Sequence, residues 1–193
     1  MRSTSLDSIP GDLPRQFASR DALETLLIEQ FPEAEGSISG IQGGRRAAKQ
    51  ALERINPPRY AKSRNHLNGA VTGLSPYIRH GVLTLAEVRD AVFQVIRRRD
   101  DGSKLINELG WRDFWQRMWQ ELGDRIEDDQ EAIKTGHDPA SYARDLPDDV
   151  REGRTGLACM DGFRDDLVTN GWLHNHARMW MAAWLVHWRR VHW

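Results

Sequence analysis

The chain has 193 residues, 39% hydrophobic and 28% charged, with a formal net charge of −1. That length can bury the core of one domain, and the near-neutral charge excludes a globally basic nucleic-acid binder, so any such contact must come from a local patch. The single cysteine, Cys159, excludes an internal disulfide and a cysteine-based metal cage, and is expected to be a small buried hydrophobe. The N-terminus lacks the apolar stretch of a secretory signal. No run approaches the roughly 18 apolar residues that span a bilayer, so a cytoplasmic protein without membrane contact is expected.

Residues 1–18, rich in Ser, Pro and Gly, read as a flexible N-terminal arm, and residues 19–193 as one helical domain. Leu23, Leu26, Leu27 and Phe31 recur at helical spacing over 20–31. "GRRAAKQALERI" predicts a helix over 44–55, stopped by Pro57 and Pro58. Residues 59–81 read as irregular and polar, with a short helix from Ser75. Over 84–99, Thr84 and Glu87 stand at capping-box spacing, and Val88, Ala91, Val92, Val95 and Ile96 face inward. The basic run 96–100 reads as the solvated end of that helix, its cations complementing the dipole. Ser103 is the expected cap of a helix over 104–122. Residues 123–158 should be loops with short turns. A short helix follows over 160–169, with Asn170-Gly171 at its C-terminus, and the last helix runs from about Trp172 to the end. No strand-like alternation persists and no glycine-rich phosphate loop follows a strand. The expected fold class is therefore all-α, a helical bundle.

Two helices carry unusual faces. At 100° per residue, Glu108, Trp111, Arg112, Trp115 and Trp119 share one side of the helix over 104–122. Spacing alone leaves two readings open: a Glu108–Arg112 pair whose stems pack on indoles, or the wall of a ligand pocket. In the last helix Asn175, Arg178, Met179, Ala182 and Val186 lie on one side. His176, Trp180, Trp184 and Trp188 lie on the other, a stripe expected to be buried among helices. On their apolar face Asn175 and Arg178 need partners, because an unpaired buried polar group costs about 1–3 kcal/mol. His174 and His176 point in different directions and His187 and His192 are poorly spaced, so no metal site is expected.

Three stretches in order, "LSPYIRHGVLT" (74–84), "NELGWRDFW" (107–115) and "TNGWLHNHARMWMAAWLVHWRR" (169–190), resemble the helical FAD-binding domain of DNA photolyases and cryptochromes. "GGRRAAKQALERI…RY" (43–60) is similar to the start of that domain, so the resemblance covers about residues 43–190. It implies FAD held among helices, pyrimidine-dimer-containing DNA as the partner, and either deoxyribodipyrimidine photo-lyase activity or blue-light sensing. By the same resemblance Tyr60, Thr72 and Ser75 match positions that hold the flavin's phosphates and ribityl chain. Arg112 matches an arginine beside the phosphates, and Asn175 and Arg178 match residues near the isoalloxazine. Glu108 matches a carboxylic acid that hydrogen-bonds the damaged bases, Trp111 the tryptophan that stacks on them, and Met179 another lesion contact. With Asn175 these form the expected catalytic group. Trp188 matches the middle tryptophan of the chain that re-reduces the flavin.

The sequence also departs from the family pattern. Family members carry an α/β domain before this one and an Asp- and Asn-rich loop after the last helix, whereas here the chain ends at Trp193. A partner protein, or a second copy of the chain, is expected to complete the flavin site. "NGAVTGLSP" is one residue short, with Val71 where a hydroxyl is usual, and His176 stands where an arginine is common. The alternative is a flavin-free helical interaction or scaffold protein that docks through its Trp-rich C-terminal helix.

Overall fold

The computed structural model describes residues 14, 16–32, 38–131 and 134–192; most of the expected N-terminal arm lies outside them. The described residues form helices and no strand, apart from one isolated parallel bridge between Ala143 and Val191. The all-α expectation holds. No helix among the described residues is long and apolar enough to cross a membrane.

Chain contacts define two compact units, Met1–Ile38 and Ser39–Trp193. The first contains α1 (Arg20–Gln30), begun by Ser19, whose hydroxyl accepts from the Ala22 amide at 3.1 Å. The second holds α2 (Arg45–Glu53), α3 (Pro57–Ser63), α4 (Ser75–Arg79), α5 (Leu85–Val95) and α6 (Arg99–Leu122). These are followed by α7 (Asp148–Arg151), α8 (Ala158–Asn170) and α9 (Asn175–Ala183).

The apolar positions of α2, α4, α5 and α6 meet in one cluster. Ala48, Ile55, Leu74, Tyr77, Leu83, Val88, Val92 and Leu105 are all buried in it. Each of its larger aliphatic side chains contributes about 1.5–3 kcal/mol relative to exposure. The central helix is α6, which packs against both α3 and α5. Gly102 permits this approach, since a Cβ there would meet Val92 Cγ1 at 2.9 Å and Ile96 Cδ1 at 3.0 Å. A second cluster joins α8 to α9 through Phe163, Leu173 and Ala177.

Several helix ends differ from expectation, each for a local reason. Pro57 and Pro58 do not merely end a helix. They open α3, with the Asn56 carbonyl oxygen of the side chain accepting from the Arg59 amide at 3.0 Å, so residues 59–63 are helical rather than irregular. The basic run is not a helix end either: Ile96–Arg98 link two helices, and Arg99 already belongs to α6. Asp101 accepts from the Arg98 amide at 3.3 Å, and Ser103 lies inside the helix with its hydroxyl donating to the Asp100 carbonyl. Thr84 and Glu87 do form the capping box on α5.

The C-terminal helix differs most. Gly171 closes α8 in a left-handed conformation (φ 62°), so Trp172 and Leu173 form a link, and α9 starts only at Asn175. It ends at Ala183 and widens into a π-helical turn, Trp184–Trp188, in which the Arg189 amide donates to the Trp184 carbonyl. Arg190 then takes φ 50° and reverses the chain. The Ala143 amide donates to the Arg190 carbonyl and the His192 amide to the Ala143 carbonyl, both at 2.8 Å, while Arg189 holds Asp149 by two bonds of 2.8 Å. The tryptophan stripe is only partly covered: His176 and Trp184 are half-buried, while Trp180, against Phe163 of α8, is still 44% exposed and Trp188 80%. Cys159 is likewise exposed, in the first turn of α8, not a core residue.

The loop from 64 to 74 depends on Gly69. A Cβ there would lie 1.7 Å from the Ser63 carbonyl oxygen, while the Gly69 amide donates to the His66 carbonyl at 2.8 Å. Gly69→Ala is expected to destabilise the protein by about 1–3 kcal/mol through forced displacement of this loop; unchanged urea denaturation would refute the close approach. A second expectation concerns acid. Arg45, then the Thr84 backbone, hold the Glu87 carboxyl down from 4.5 to about 2. Since the folded value is the depressed one, this contribution is complete above pH 4.5 and is lost as pH falls towards about 2. Glu87→Gln should flatten that part of the stability profile, measured by thermal melts across the window.

Candidate functional site: a cationic cavity

A cavity of about 780 Å³ opens between α3, α4, α6 and the start of α9. Tyr60 enters from α3, Val71 to Gly73 from the following loop, and Ser75 and Arg79 from α4 with His80 just beyond it. Arg112 comes from α6, Trp172 from the link after α8, and Asn175 and Arg178 from the first turns of α9. The link places α9 because His174 acts as its N-cap: the ring Nδ1 accepts from the His176 amide at 3.1 Å. Asn175 and Arg178, three residues apart, then share one side of the helix. The Trp172 indole N–H donates to Ser75 Oγ at 3.2 Å and joins this link to α4.

The electrostatics are one-sided. Arg79, Arg112, Arg178 and His80 line the cavity, and no acid does so among the described residues. Arg178 is fixed by a bond from Nε to the Leu173 carbonyl at 3.1 Å. The Arg112 guanidinium is held below its ordinary pKa, first by burial and then by the positive charge of Arg79. Its Nε is buried and has no hydrogen-bond partner among the described residues. Burial raises the Tyr60 phenol, opposed by Arg64, whose guanidinium lies 5.7 Å from the ring centroid. His174 is 5% exposed, and burial followed by the adjacent His176 lowers its pKa. Such a cavity is suited to a ligand with closely spaced anionic oxygens, which guanidinium groups bind through paired, charge-assisted hydrogen bonds.

Six of the residues singled out from the sequence, Tyr60, Thr72, Ser75, Arg112, Asn175 and Arg178, line this one cavity. Glu108, Trp111, Met179 and Trp188 do not. Glu108 takes Arg64 at 3.0 Å and Lys104 at 3.3 Å as partners rather than Arg112, so the pair suggested by spacing does not form. Trp111 is 57% exposed and meets Phe114 edge to face at 5.7 Å. Met179 is exposed, with its sulfur 3.5 Å from Asn175 Nδ2. Trp188 projects from the π-helical turn. Reading the sequence missed Arg79, His80 and Trp172 as lining residues. The signal for the first two was the basic pair at the C-terminal end of the short helix from Ser75.

Fold and cavity together define a helical protein whose cationic pocket is assembled from four separate helices. Comparison with known proteins shows what the chain resembles. Residues 105–193 match the family model described as the FAD binding domain of DNA photolyase. The chain is 33% identical over 184 residues to a deoxyribodipyrimidine photo-lyase of Thermus thermophilus, covering 91% of this chain and 38% of that protein. It is 29% identical over 160 residues to the deoxyribodipyrimidine photo-lyase of Streptomyces griseus, covering 79% of this chain and 33% of that one. The chain thus spans about a third of the length of these curated relatives. The crystal structure of the Synechocystis sp. PCC6803 cryptochrome shares the fold, with a TM-score of 0.67 at 22% identity, over 85% of this chain and 36% of that one. The chain is therefore similar to the helical FAD-binding domain of the DNA photolyase and cryptochrome family, as its three motif stretches imply.

Arg112 is a half-buried cation near another, with its Nε buried and unpartnered among the described residues. Arg112→Leu is expected to leave stability unchanged or to raise it by up to about 1 kcal/mol, because it removes an unpaired buried donor. Equilibrium denaturation checks this, and a clear loss of stability would show that Arg112 has a structural partner.

Proposed function

We propose that the cavity binds FAD and that the chain takes part in a photolyase- or cryptochrome-like activity in the cytoplasm. That activity is light-dependent repair of pyrimidine dimers in DNA, or blue-light sensing. The convergence of Tyr60, Thr72, Ser75, Arg112, Asn175 and Arg178 on one cavity that no acid lines among the described residues carries this reading. The cofactor's chemistry fits the wall. The unpartnered Arg112 Nε and its neighbouring cations suit a pyrophosphate. The hydroxyls of Tyr60, Thr72 and Ser75 suit phosphate and ribityl oxygens. Asn175 and Arg178, at the mouth of α9, suit the polar edge of a flavin ring.

When bound, FAD supplies light absorption and electron transfer. The protein's residues bind it, orient it and present the second substrate. Trp111 offers an exposed indole face on which a flipped base can stack, worth about 1–3 kcal/mol. Glu108 lies one turn earlier on α6 and is held by Arg64 and Lys104. That trio carries one surplus positive charge, favourable beside a phosphate backbone. The purified chain is expected to take up added FAD stoichiometrically and to show flavin absorbance in the blue. Protein that remains colourless after dialysis against FAD would overturn the reading for the isolated chain.

A second reading is favoured by one observation: Trp111, Phe114, Trp115 and Trp119 form an exposed aromatic face along α6, and Trp180 and Trp188 are exposed near the C-terminus. Exposed aromatic faces of this kind serve as docking surfaces for a partner protein or a second copy. Sedimentation velocity separates the two readings: a flavin-free protein that self-associates through this face supports docking, and a flavin-loaded monomer supports the first.

A further inference from the structure

The part of the cavity wall supplied by Asn175 and Arg178 depends on one bond made by a titratable group. His174 Nδ1 accepts from the His176 amide at 3.1 Å, and the His174 carbonyl accepts from the Arg178 amide at 3.1 Å. An imidazole nitrogen accepts only while it carries no proton, so this cap exists only with the ring neutral and its hydrogen on Nε2. The ring is 5% exposed, and its Nε2 is buried without a hydrogen-bond partner among the described residues. A second proton on the ring finds no acceptor there. It also meets the positive end of the α9 dipole, a penalty that a cap of Ser, Asn or Asp never incurs.

The groups around the ring do nothing to compensate. His176 of α9 stands 5.6 Å away between ring centroids, and its own Nδ1 is buried without a partner. Trp172, in the link, meets the ring edge to face at 6.5 Å. Arg178, one turn along α9, is bonded to the Leu173 carbonyl. Burial, then His176, lowers the His174 pKa, and the backbone of Arg64, directly after α3, opposes them. The Arg64 guanidinium is itself paired with Glu108 of α6, which Lys104 also holds. No carboxylate acts on the ring among the described residues.

We propose that His174 is a positioning residue whose protonation state decides whether the cavity can hold its ligand. With the ring neutral, the first turn of α9 is fixed and Asn175 and Arg178 stay at the wall. A proton on Nδ1 breaks the cap, the first turn frays and both residues leave their places. Since the folded value is the depressed one, the cap is complete above the ordinary 6.5 and is lost as pH falls through the lower folded value. His80, which lines the cavity, would act with the opposite sign, since a charge gained in acid favours an anionic ligand. One readout below rests on the proposed FAD site and the other does not.

NMR of the full chain follows the His174 ring and the α9 amides from about pH 8 to about pH 5, the range in which an imidazole titrates, alongside titration with FAD. FAD affinity is expected to be flat above the His174 midpoint and to fall by up to about tenfold per pH unit below it. Hydrogen-exchange protection of the His176 and Arg178 amides should be lost at the same midpoint, while that of the Glu87 amide, capped by Thr84, should persist. His174→Ala should weaken FAD binding at every pH by about two- to thirtyfold, the range for a lost cap. His174→Asn supplies a cap that does not titrate, so it should recover most of that affinity and abolish the acid transition. His176→Gln should leave the transition in place. A transition that survives His174→Asn, that follows His176, or that leaves the amide protection untouched overturns the inference. If the Asn variant folds poorly, the wild-type midpoints decide by coinciding or separating. Protein that takes up no FAD at any pH overturns the FAD reading, and the amide protection then decides on His174 alone.

Discussion

Three guanidinium groups and a histidine line one cavity that no acid lines among the described residues, so the surrounding helices have to hold like charges near one another. No single helix carries the set. Arg79 closes α4, Arg112 sits mid-way along α6, and Arg178 lies in the first turn of α9. Their approach is sustained by the apolar packing behind them, where Leu74, Leu83, Val88, Val92 and Leu105 bury α4, α5 and α6 against one another. The apolar cluster therefore offsets the electrostatic cost of the site. A ligand that brings negative charge reverses that balance, so binding and folding reinforce one another here.

The second support is the link between α8 and α9. Gly171 ends one helix, His174 starts the next, and the Trp172 indole bonds to Ser75. Three residues thereby fix where Asn175 and Arg178 point. The ring of His174, nearly inaccessible, acts as a structural cap, its Nδ1 accepting from the His176 amide. On α6, by contrast, the charged and aromatic residues face outward. Trp111 belongs to an open surface and Glu108 is half-buried against Arg64, while Arg112, on the same helical side by sequence spacing, reaches into the cavity.

Much of this was legible in the sequence. The capping box at Thr84 and Glu87, the glycine stop at Gly171 and the inward Val88 and Val92 of α5 depend on neighbours close along the chain and appear as expected, whereas Val95, expected inward, ends α5 50% exposed. What sequence could not show depended on contacts remote along the chain or on rare local choices. A proline pair opens α3 because Asn56 caps it, though the same pair also follows the end of α2. A histidine is an uncommon N-cap, so the delayed start of α9 left no signal. The spacing of Glu108 and Arg112 was correctly read, but Arg64, far away in sequence, claims the carboxylate. The tryptophan stripe on α9 was equally real as a pattern; which side α8 would cover was decided by Phe163 and Ala177.

The π-helical turn at Trp184–Trp188 has a consequence for how this segment can change over generations. A π turn carries one more residue than the α-helical turn it replaces. It therefore stores a single surplus position between the cavity-facing turns of α9 and the Arg189–Asp149 anchor. Loss of one codon within it can be absorbed by a return to α-helical winding, and Asn175 and Arg178 lie upstream, unaffected by the change. The segment joins a site whose geometry is exacting to an anchor whose spacing is adjustable, so drift in length downstream need not reach the cavity.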